Sequence, residues 1–242
     1  MRALVLALFM PLAAHAECAM FSWSVFPPAG SKVPANSRFT VQGYGSAQQA
    51  VTTMSSRKPR LVPADGAPIP LDVVEVNSGE FELTQAVLVP KSPLKEGMRY
   101  TLKFETDARA SFSVGSGERA SWVITKPDTD PPRWTAAPQA LPGEIVQFGC
   151  GPSVEAHVSL GVEDASPLQL RAKVTRTDGR TAQYLLPTTK EGPLRLGHGM
   201  CSGAFSFHDE EWSLELFAVD SAGNTVPAPG APLRFKGVDP KK

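Results

Sequence analysis

Short runs of alternating apolar and polar residues, each ended by Gly, Pro, Asn or Asp, are the feature that most constrains the fold of this chain. The first half contains six of them: RFTVQGY (38–44), PLDVVEV (70–76), FELTQAVLV (81–89), RYTLKFE (99–105), ASFSV (110–114) and SWVIT (121–125). The second half contains seven: EIVQFG (144–149), EAHVSLGV (155–162), LQLRAKVTR (168–176), TAQYLL (181–186), GAFSF (203–207), WSLELFAV (212–219) and PLRFK (232–236). Alternation with period two is typical of half-buried β-strands, and six or seven strands make one β-sandwich. The pattern therefore predicts an all-β protein with two antiparallel sandwiches. The segment VTTMSSRK (51–58) does not follow this pattern and fits either a short helix or an irregular loop.

The N-terminus predicts export. MRALVLALFMPLAAHA (1–16) has one basic residue, an apolar run too short to span a bilayer, and an Ala-x-Ala end, which is the layout of a signal peptide. Cleavage after Ala16 leaves a mature chain that starts at Glu17. Cleavage after Ala14 would instead place His15 at the terminus, where its amine and imidazole could hold copper. A lipid anchor on Cys18 is disfavoured because Glu17 replaces the small residue that such a cleavage site needs.

Length and charge set further limits. The 242 residues are enough for two domains, and the proline-rich stretch KPDTDPPRW (126–134) reads as an extended connector between them. We expect a signal peptide at 1–16, domains at 17–126 and 127–238, and a tail at 239–242. The sequence has 24 basic and 24 acidic residues, so it has no excess positive charge that would attract nucleic acid. No stretch after the signal peptide approaches about 18 apolar residues, so no transmembrane helix is expected in the mature chain.

Two segments of the first half resemble a known family. FPPAGSKVPANSRFTV (26–41) has a Pro-x-x-Gly-x-x-Val-Pro opening, and LVPKSPLKEGMRYTLKF (88–104) has a Pro-Leu-x-x-Gly-x-x-Tyr-Thr-Leu ending. Both are similar to the bacterial Ig-like domain found in S-layer and other surface proteins. In the second half, DTDPPRW and AVDSAGN (218–224) resemble the opening and closing turns of tandem surface repeats. The resemblance implies two tandem Ig-like sandwiches that serve binding, spacing or envelope assembly, with no shared catalytic residues.

The cysteines predict one disulfide. An exported chain meets oxidising conditions, and Cys150 shares strand parity with Val146 and Phe148, as Cys201 does with Phe205 and Phe207. Both thiols are thus expected on the apolar side, and we predict a structural bond between Cys150 and Cys201. Cys18 is then left for intermolecular pairing or as a buried thiol.

Two turns have a specific sequence signal. Asp178-Gly179 in RTDGRT predicts a type I′ hairpin turn. That turn places Val174 opposite Gln183, so that Leu185 joins the packed face and Tyr184 the solvated one. In VDSAGN, Asp220 is expected to cap its own turn with Gly223 at positive φ and Asn224 closing it. Asp220 and Asn224 offer calcium oxygens as well, but the further carboxylates of a calcium loop are missing.

No segment predicts a reaction. His157, His198 and His208 lack the closely spaced partners of a zinc site, and HDEE (208–211) reads as a solvated acidic loop. Nucleophile-elbow and phosphate-binding motifs are absent from the sequence. The expectation is therefore a non-enzymatic secreted or periplasmic protein without catalytic residues, metal or cofactor. Its partner would be a protein or an envelope polysaccharide. Two alternatives remain: a periplasmic copper carrier, and a hydrolase with an unrecognised site at the domain junction.

Overall fold

The computed structural model describes residues 18–105, 120–188, 192–207 and 210–237. Its regular structure is almost entirely antiparallel β, which confirms the predicted all-β sandwich class. The predicted signal peptide, the run ASFSV, His208 and the tail lie outside the described residues. Within the described ranges, the helices are too short to cross a membrane.

The first half forms one eight-stranded sheet with strand order β1-β3-β6-β5-β4-β7-β8-β2. Strands β2 and β8 pair in parallel, and the other neighbours are antiparallel. A buried cluster that includes Phe39, Leu88 and Trp122 forms its core. The elements are β1 (Phe21–Phe26), β2 (Lys32–Pro34), β3 (Phe39–Gly45), α1 (Gln48–Thr52), a 3-10 turn (Met54–Arg57), β4 (Arg60–Pro63), β5 (Ile69–Ser78), β6 (Leu83–Pro90), β7 (Arg99–Lys103) and β8 (Ser121–Thr125).

The segments that carry the family resemblance have structural tasks in this half. Gly30 and Gly97 adopt positive φ angles of 83° and 78°, which glycine reaches without a steric penalty. The buried Tyr100 hydroxyl accepts a hydrogen bond from the Lys95 backbone N–H at 3.2 Å. The Trp122 indole donates to the Pro27 carbonyl at 2.9 Å. The motif residues thus form the turns that close this core.

The second half consists of two facing sheets. One has the order β13-β10-β9; the other has the order β12-β11-β14-β15, with β16 also paired to β14. A second buried cluster, which includes Leu170, Phe205 and Trp212, lies between them. The strands are β9 (Arg133–Phe148), β10 (Gly151–Glu163), β11 (Leu168–Arg176), β12 (Thr181–Pro187), β13 (Leu194–His198), β14 (Glu211–Asp220), β15 (Thr225–Pro227) and β16 (Leu233–Lys236).

One predicted strand of this half is wrong. The run GAFSF (203–207) is irregular and pairs only through isolated bridges at Gly203. Its aromatic side chains are nevertheless buried: Phe205 and Phe207 stack with ring centroids 5.9 Å apart. The alternation in this segment therefore reflects burial of two rings and not a ladder of backbone hydrogen bonds.

The β11–β12 hairpin differs from prediction by one residue. The N–H of Gly179 donates to the Arg176 carbonyl, the N–H of Arg176 donates to the Arg180 carbonyl, and of the turn residues only Gly179 has positive φ, at 83°. The loop thus has three residues, a turn ending in a left-handed glycine, and not the two of a type I′ turn. The register becomes Val174 opposite Ala182. A slip of one residue exchanges the two faces of a strand, so Tyr184 lies in the core cluster.

The predicted Cys150–Cys201 disulfide is also wrong, because Cys201 bonds Cys18. The parity assumed for β9 was the cause: Ile145 packs against the core, whereas Phe148 is 44% exposed. Cys150, in the turn that joins β9 to β10, is likewise exposed. The observed bond spans 183 residues and joins the start of the first half to the second half.

Hydrogen bonds along β11 and β12 also join the halves. The Arg171 guanidinium forms a bidentate ion pair with Glu75, with Nη1–Oε1 at 2.5 Å and Nη2–Oε2 at 2.8 Å. The buried Thr40 hydroxyl donates to Gln169 at 3.1 Å. At the far end of β11, Arg176 donates to Glu80 at 2.8 Å. The face expected to be solvated is therefore largely an interface with the first half.

Candidate functional site

The connector between the halves is held from both sides by asparagines. Asn36 of the first half donates to the Asp128 carbonyl at 2.7 Å and accepts from the Asp128 N–H at 3.0 Å. Asn224 of the second half donates to the carbonyls of Asp128 and Asp130 at 3.4 and 3.3 Å. The Asp-rich stretch is consequently an ordered bridge, although the sequence suggested only an extended connector.

Carboxylates converge beside this bridge. Asp128, Asp164 and Asp220 each place one oxygen within 4.8 Å of the others. A cleft of about 420 Å³ adjoins them, lined by Asp128, Asp130, Pro131, Arg133, Glu163, Asp164 and Ala165. Burial, and secondarily repulsion from Asp220 and Asp128, raises the pKa of Asp164 above its ordinary value. Burial likewise raises the pKa of Asp220.

Each of these carboxylates already accepts local hydrogen bonds. Asp220 accepts from the backbone N–H and side-chain amide of Asn224 at 2.8 and 2.7 Å, while Gly223 has a φ of 94°. Asp164 accepts from the Ser166 N–H at 2.6 Å, and Asp128 accepts from the Ser166 hydroxyl. The predicted turn residues Asp220, Gly223 and Asn224 therefore form one turn, and the cluster as a whole ties turns of the second half to the bridge.

The most exposed part of the second half is the β9–β10 ribbon. β9 forms the edge of its sheet over 16 residues, and nearly all of them are exposed or partly exposed. Pro138 and Pro142 lie within β9 and have no backbone N–H to donate to a further strand. Leu141 and Phe148 are 40% and 44% exposed. Large apolar side chains at this exposure make the outer face of the ribbon a candidate contact surface.

A polar cluster on that face includes one predicted histidine. His157 Nε2 lies 3.4 Å from Glu155 Oε2, and Arg195 Nη1 lies 3.3 Å from the same oxygen. Glu144, Glu155 and His157 each place a ligand atom within 4.8 Å of the others. Sequence reasoning missed this group, although Glu155 and His157 stand two residues apart in a predicted strand and thus share a face.

The other predicted site residues are dispersed. His198 Nδ1 lies 2.9 Å from the Gly199 carbonyl, and its ring packs edge-on against Phe81 at 5.4 Å. Asp178 accepts from the N–H of Arg180 at 2.9 Å in the hairpin turn beside Gly179. Neither lies in the carboxylate cluster or the ribbon cluster. At the start of β9, Trp134 donates its indole N–H to the Val226 carbonyl at 3.2 Å and packs on the second core.

Comparison with known proteins finds no matching protein family and no matching curated protein. Among solved structures, the chain is similar to dimeric latent PorU from Porphyromonas gingivalis, with 12% identity and a TM-score of 0.31 over 89% of this chain and 20% of that one. It is also similar to a pullulanase from Anoxybacillus sp. LM18-11 complexed with maltotriose, with 8% identity and a TM-score of 0.26 over 83% and 24% of the two chains. The S-layer protein rSbsC(31-844) has 14% identity and a TM-score of 0.28 over 85% and 33%. The chain thus spans a third or less of each of these proteins.

Proposed function

We propose that the protein is an exported, non-enzymatic module of the cell envelope, in which two fastened β-sandwich halves present the β9–β10 ribbon to an envelope partner. The observation that carries the proposal is the Cys18–Cys201 disulfide between the halves. A structural disulfide requires an oxidising compartment. Cys18 also stands two residues after the predicted cleavage point, so the bond fastens the new N-terminus as soon as export exposes it.

Fastening of the halves favours a structural role over a catalytic one. A site that works by closing two domains on a substrate needs freedom at the junction. Here an ion pair, buried amides and the asparagine-held bridge connect the halves along their length. Such an arrangement maintains a constant angle between the two halves, which is what a spacer or an assembly module requires.

The partner surface we propose is the outer face of the ribbon near Leu141 and Phe148. Leu141 and Phe148 are exposed apolar residues on the same face of the sheet as Glu144, Glu155 and Arg195. A partner of mixed character, such as an envelope polysaccharide or the protein attached to it, matches this surface because sugars offer apolar ring faces and hydroxyl groups together.

Two measurements test the proposal. Intact mass spectrometry of the protein produced with residues 1–16 is expected to show a chain starting at Glu17 with one internal disulfide. Co-sedimentation with isolated envelope fragments is expected to fall for the Leu141→Asp and Phe148→Asp variants. Val74→Asp, at a residue 55% exposed in the first half, is the matched control and should sediment like the wild type. A reduced cytoplasmic protein, or equal sedimentation of all variants, would contradict the proposal.

One observation favours a second candidate function, a hydrolase at the junction. The convergence of Asp128 with Asp164, whose pKa is raised by burial, brings two carboxyl groups together beside a cleft, and acid–base hydrolysis of glycosides uses such a pair. This candidate predicts turnover of chromogenic glycosides or esters that Asp164→Asn abolishes. Absence of turnover by the wild type would remove it.

A further inference from the structure

The outer face of β10 carries two potential metal ligands. Val154 and Val158 are buried in the second core, so the alternate positions Glu155 and His157 point to the opposite face. Their side chains are only 20% and 15% exposed. The imidazole and the carboxylate are thus largely shielded from solvent, where electrostatic interactions are stronger than in bulk water.

Direct pairing with Glu155 brings the third ligand, Glu144, to this face, and a β-bulge lies beside it. Glu155 pairs with Glu144, but His157 pairs with Leu141, so Pro142 and Gly143 together oppose the single residue between them on β10. A Cβ on Gly143 would lie 2.7 Å from the Glu155 carbonyl oxygen, and only glycine permits that approach. Bulges of this kind re-aim side chains and are common at functional sites on sheet edges.

The resulting donor set suits a transition metal. Glu144 and Glu155 are like charges directly opposite one another on paired strands, which is destabilising unless a cation lies between them. Imidazole with two carboxylates is a zinc-type donor set, with bonds of about 2.0–2.2 Å. Ligand atoms within 4.8 Å of one another need to move by on the order of 1 Å to reach those bond lengths. Rotation of the exposed Glu144 side chain supplies such a movement.

Arg195 acts as a competing cation. Its guanidinium lies 3.3 Å from Glu155 Oε2, and its side chain is 64% exposed. An ion pair this exposed contributes little free energy. A divalent ion can therefore displace the guanidinium into solvent while it takes both carboxylates.

We propose that the ribbon binds one divalent transition-metal ion, with zinc as the reference ion, through Glu144, Glu155 and His157. Three protein ligands leave a fourth tetrahedral position open to water or to a donor atom of a bound molecule. This inference goes beyond the proposed envelope function and does not depend on it. The metal class follows from the imidazole, because calcium and magnesium prefer sites made of oxygen alone.

The test is titration of the tag-free, chelator-stripped mature protein with Zn²⁺ at pH 7.5, followed by calorimetry. One site per chain is expected. Glu144→Gln and His157→Ala should each lower the affinity at least tenfold, and Arg195→Ala should raise it. Glu144 is exposed on the sheet surface, so its variant keeps the fold even if His157→Ala does not.

Two controls separate this site from other zinc donors. His198→Ala removes a histidine outside the cluster, and Cys150→Ser removes the exposed thiol in the turn between β9 and β10. Both variants should bind zinc like the wild type. The thermal midpoint of the wild type should rise with saturating Zn²⁺, whereas that of Glu144→Gln should rise less. No binding of Zn²⁺ by the wild type, or equal binding by Glu144→Gln and the wild type, would overturn the proposal.

Discussion

The side-chain amide of Gln85 forms two hydrogen bonds with the backbone of Leu185. Its Nε2 donates to the Leu185 carbonyl at 3.0 Å, and its Oε1 accepts from the Leu185 N–H at 2.8 Å. Leu185 belongs to β12, the edge strand of its sheet, so Gln85 supplies the pairing that a further strand would otherwise provide. One side chain of the first half thus completes the sheet of the second.

Replacement of Gln85 by Ala should destabilise the protein by about 2–4 kcal/mol, because a buried donor and a buried acceptor both lose their partner. Urea unfolding measures the change. Gln139→Ala, at an exposed position on β9, is the control and should lie within about 0.5 kcal/mol of the wild type. Equal midpoints for the two variants would show that the Gln85 amide contributes nothing across the interface.

The Glu75–Arg171 ion pair should make the free energy of unfolding decrease at acidic pH. The Arg171 hydrogen bonds, against a smaller opposing effect of burial, lower the pKa of Glu75 below its ordinary 4.5. A carboxyl with a depressed folded pKa stabilises fully above its unfolded pKa, and that stabilisation is lost as pH falls through the folded value. Glu75→Gln should therefore flatten the decline in free energy of unfolding below pH 4.5. A double-mutant cycle with Arg171→Met should give a coupling of about 1–2 kcal/mol at pH 7. Zero coupling would contradict the contact.

The Asp164 carboxyl at the junction should give stability the opposite dependence on pH. Its pKa is raised, first by burial, above its ordinary 3.8. The stabilisation that the protonated Asp164 carboxyl gives to the folded state is fully present below pH 3.8. It is lost as pH rises through the pKa of Asp164 in the folded protein. Asp164→Asn keeps an oxygen for the Ser166 N–H but removes the charge. The difference in melting temperature between this variant and the wild type should therefore shift in favour of the variant from pH 3 to pH 7. A constant difference would argue against the raised pKa.

Loss of the Cys18–Cys201 bond should lower stability by about 3–5 kcal/mol, because a loop closed over 183 residues removes much entropy from the unfolded chain. Cys18→Ser and Cys201→Ser should behave alike, and Cys150→Ser should change little. Non-reducing peptide mapping gives the pairing directly. A Cys150–Cys201 peptide in the native protein would contradict the Cys18–Cys201 bond.

Gly143→Ala should cost about 1–3 kcal/mol, because its methyl group would meet the Glu155 carbonyl oxygen at 2.7 Å. Gly149→Ala is the matched control in the same ribbon, since a Cβ there has no atom within 4 Å. Thermal melts of the pair separate close backbone approach from general loss of a glycine. Similar melting temperatures would mean that the bulge adapts without strain.

Sequence reasoning predicted the elements better than their relations. The run LQLRAKVTR coincides with β11, and SWVIT coincides with β8, because alternation and turn residues are local properties. The Asp178-Gly179 hairpin was predicted with the wrong loop length. The choice between a two-residue and a three-residue turn depends on whether Tyr184 or Leu185 packs in the second core, which is decided by tertiary contacts.

The candidate site was predicted least well, for a related reason. Glu144 shares a face with His157 because it pairs with Glu155, and the bulge at Pro142–Gly143 brings Leu141 to the same face. No periodicity in the sequence reveals this register. The disulfide partner of Cys201 likewise depended on how β1 of the first half meets the second half. Contacts between the halves have no local pattern, so Cys18 could only be left unassigned.

The disulfide also determines how the molecule carries tension. Residues 19–200 lie inside the covalent loop that Cys18 and Cys201 close. A pull on the two ends of the described chain therefore passes from Cys18 directly to Cys201 and on into β14 and the strands after it. The first half and the β9–β10 ribbon are not part of this covalent path. A protein stretched within an envelope would keep these surfaces undeformed.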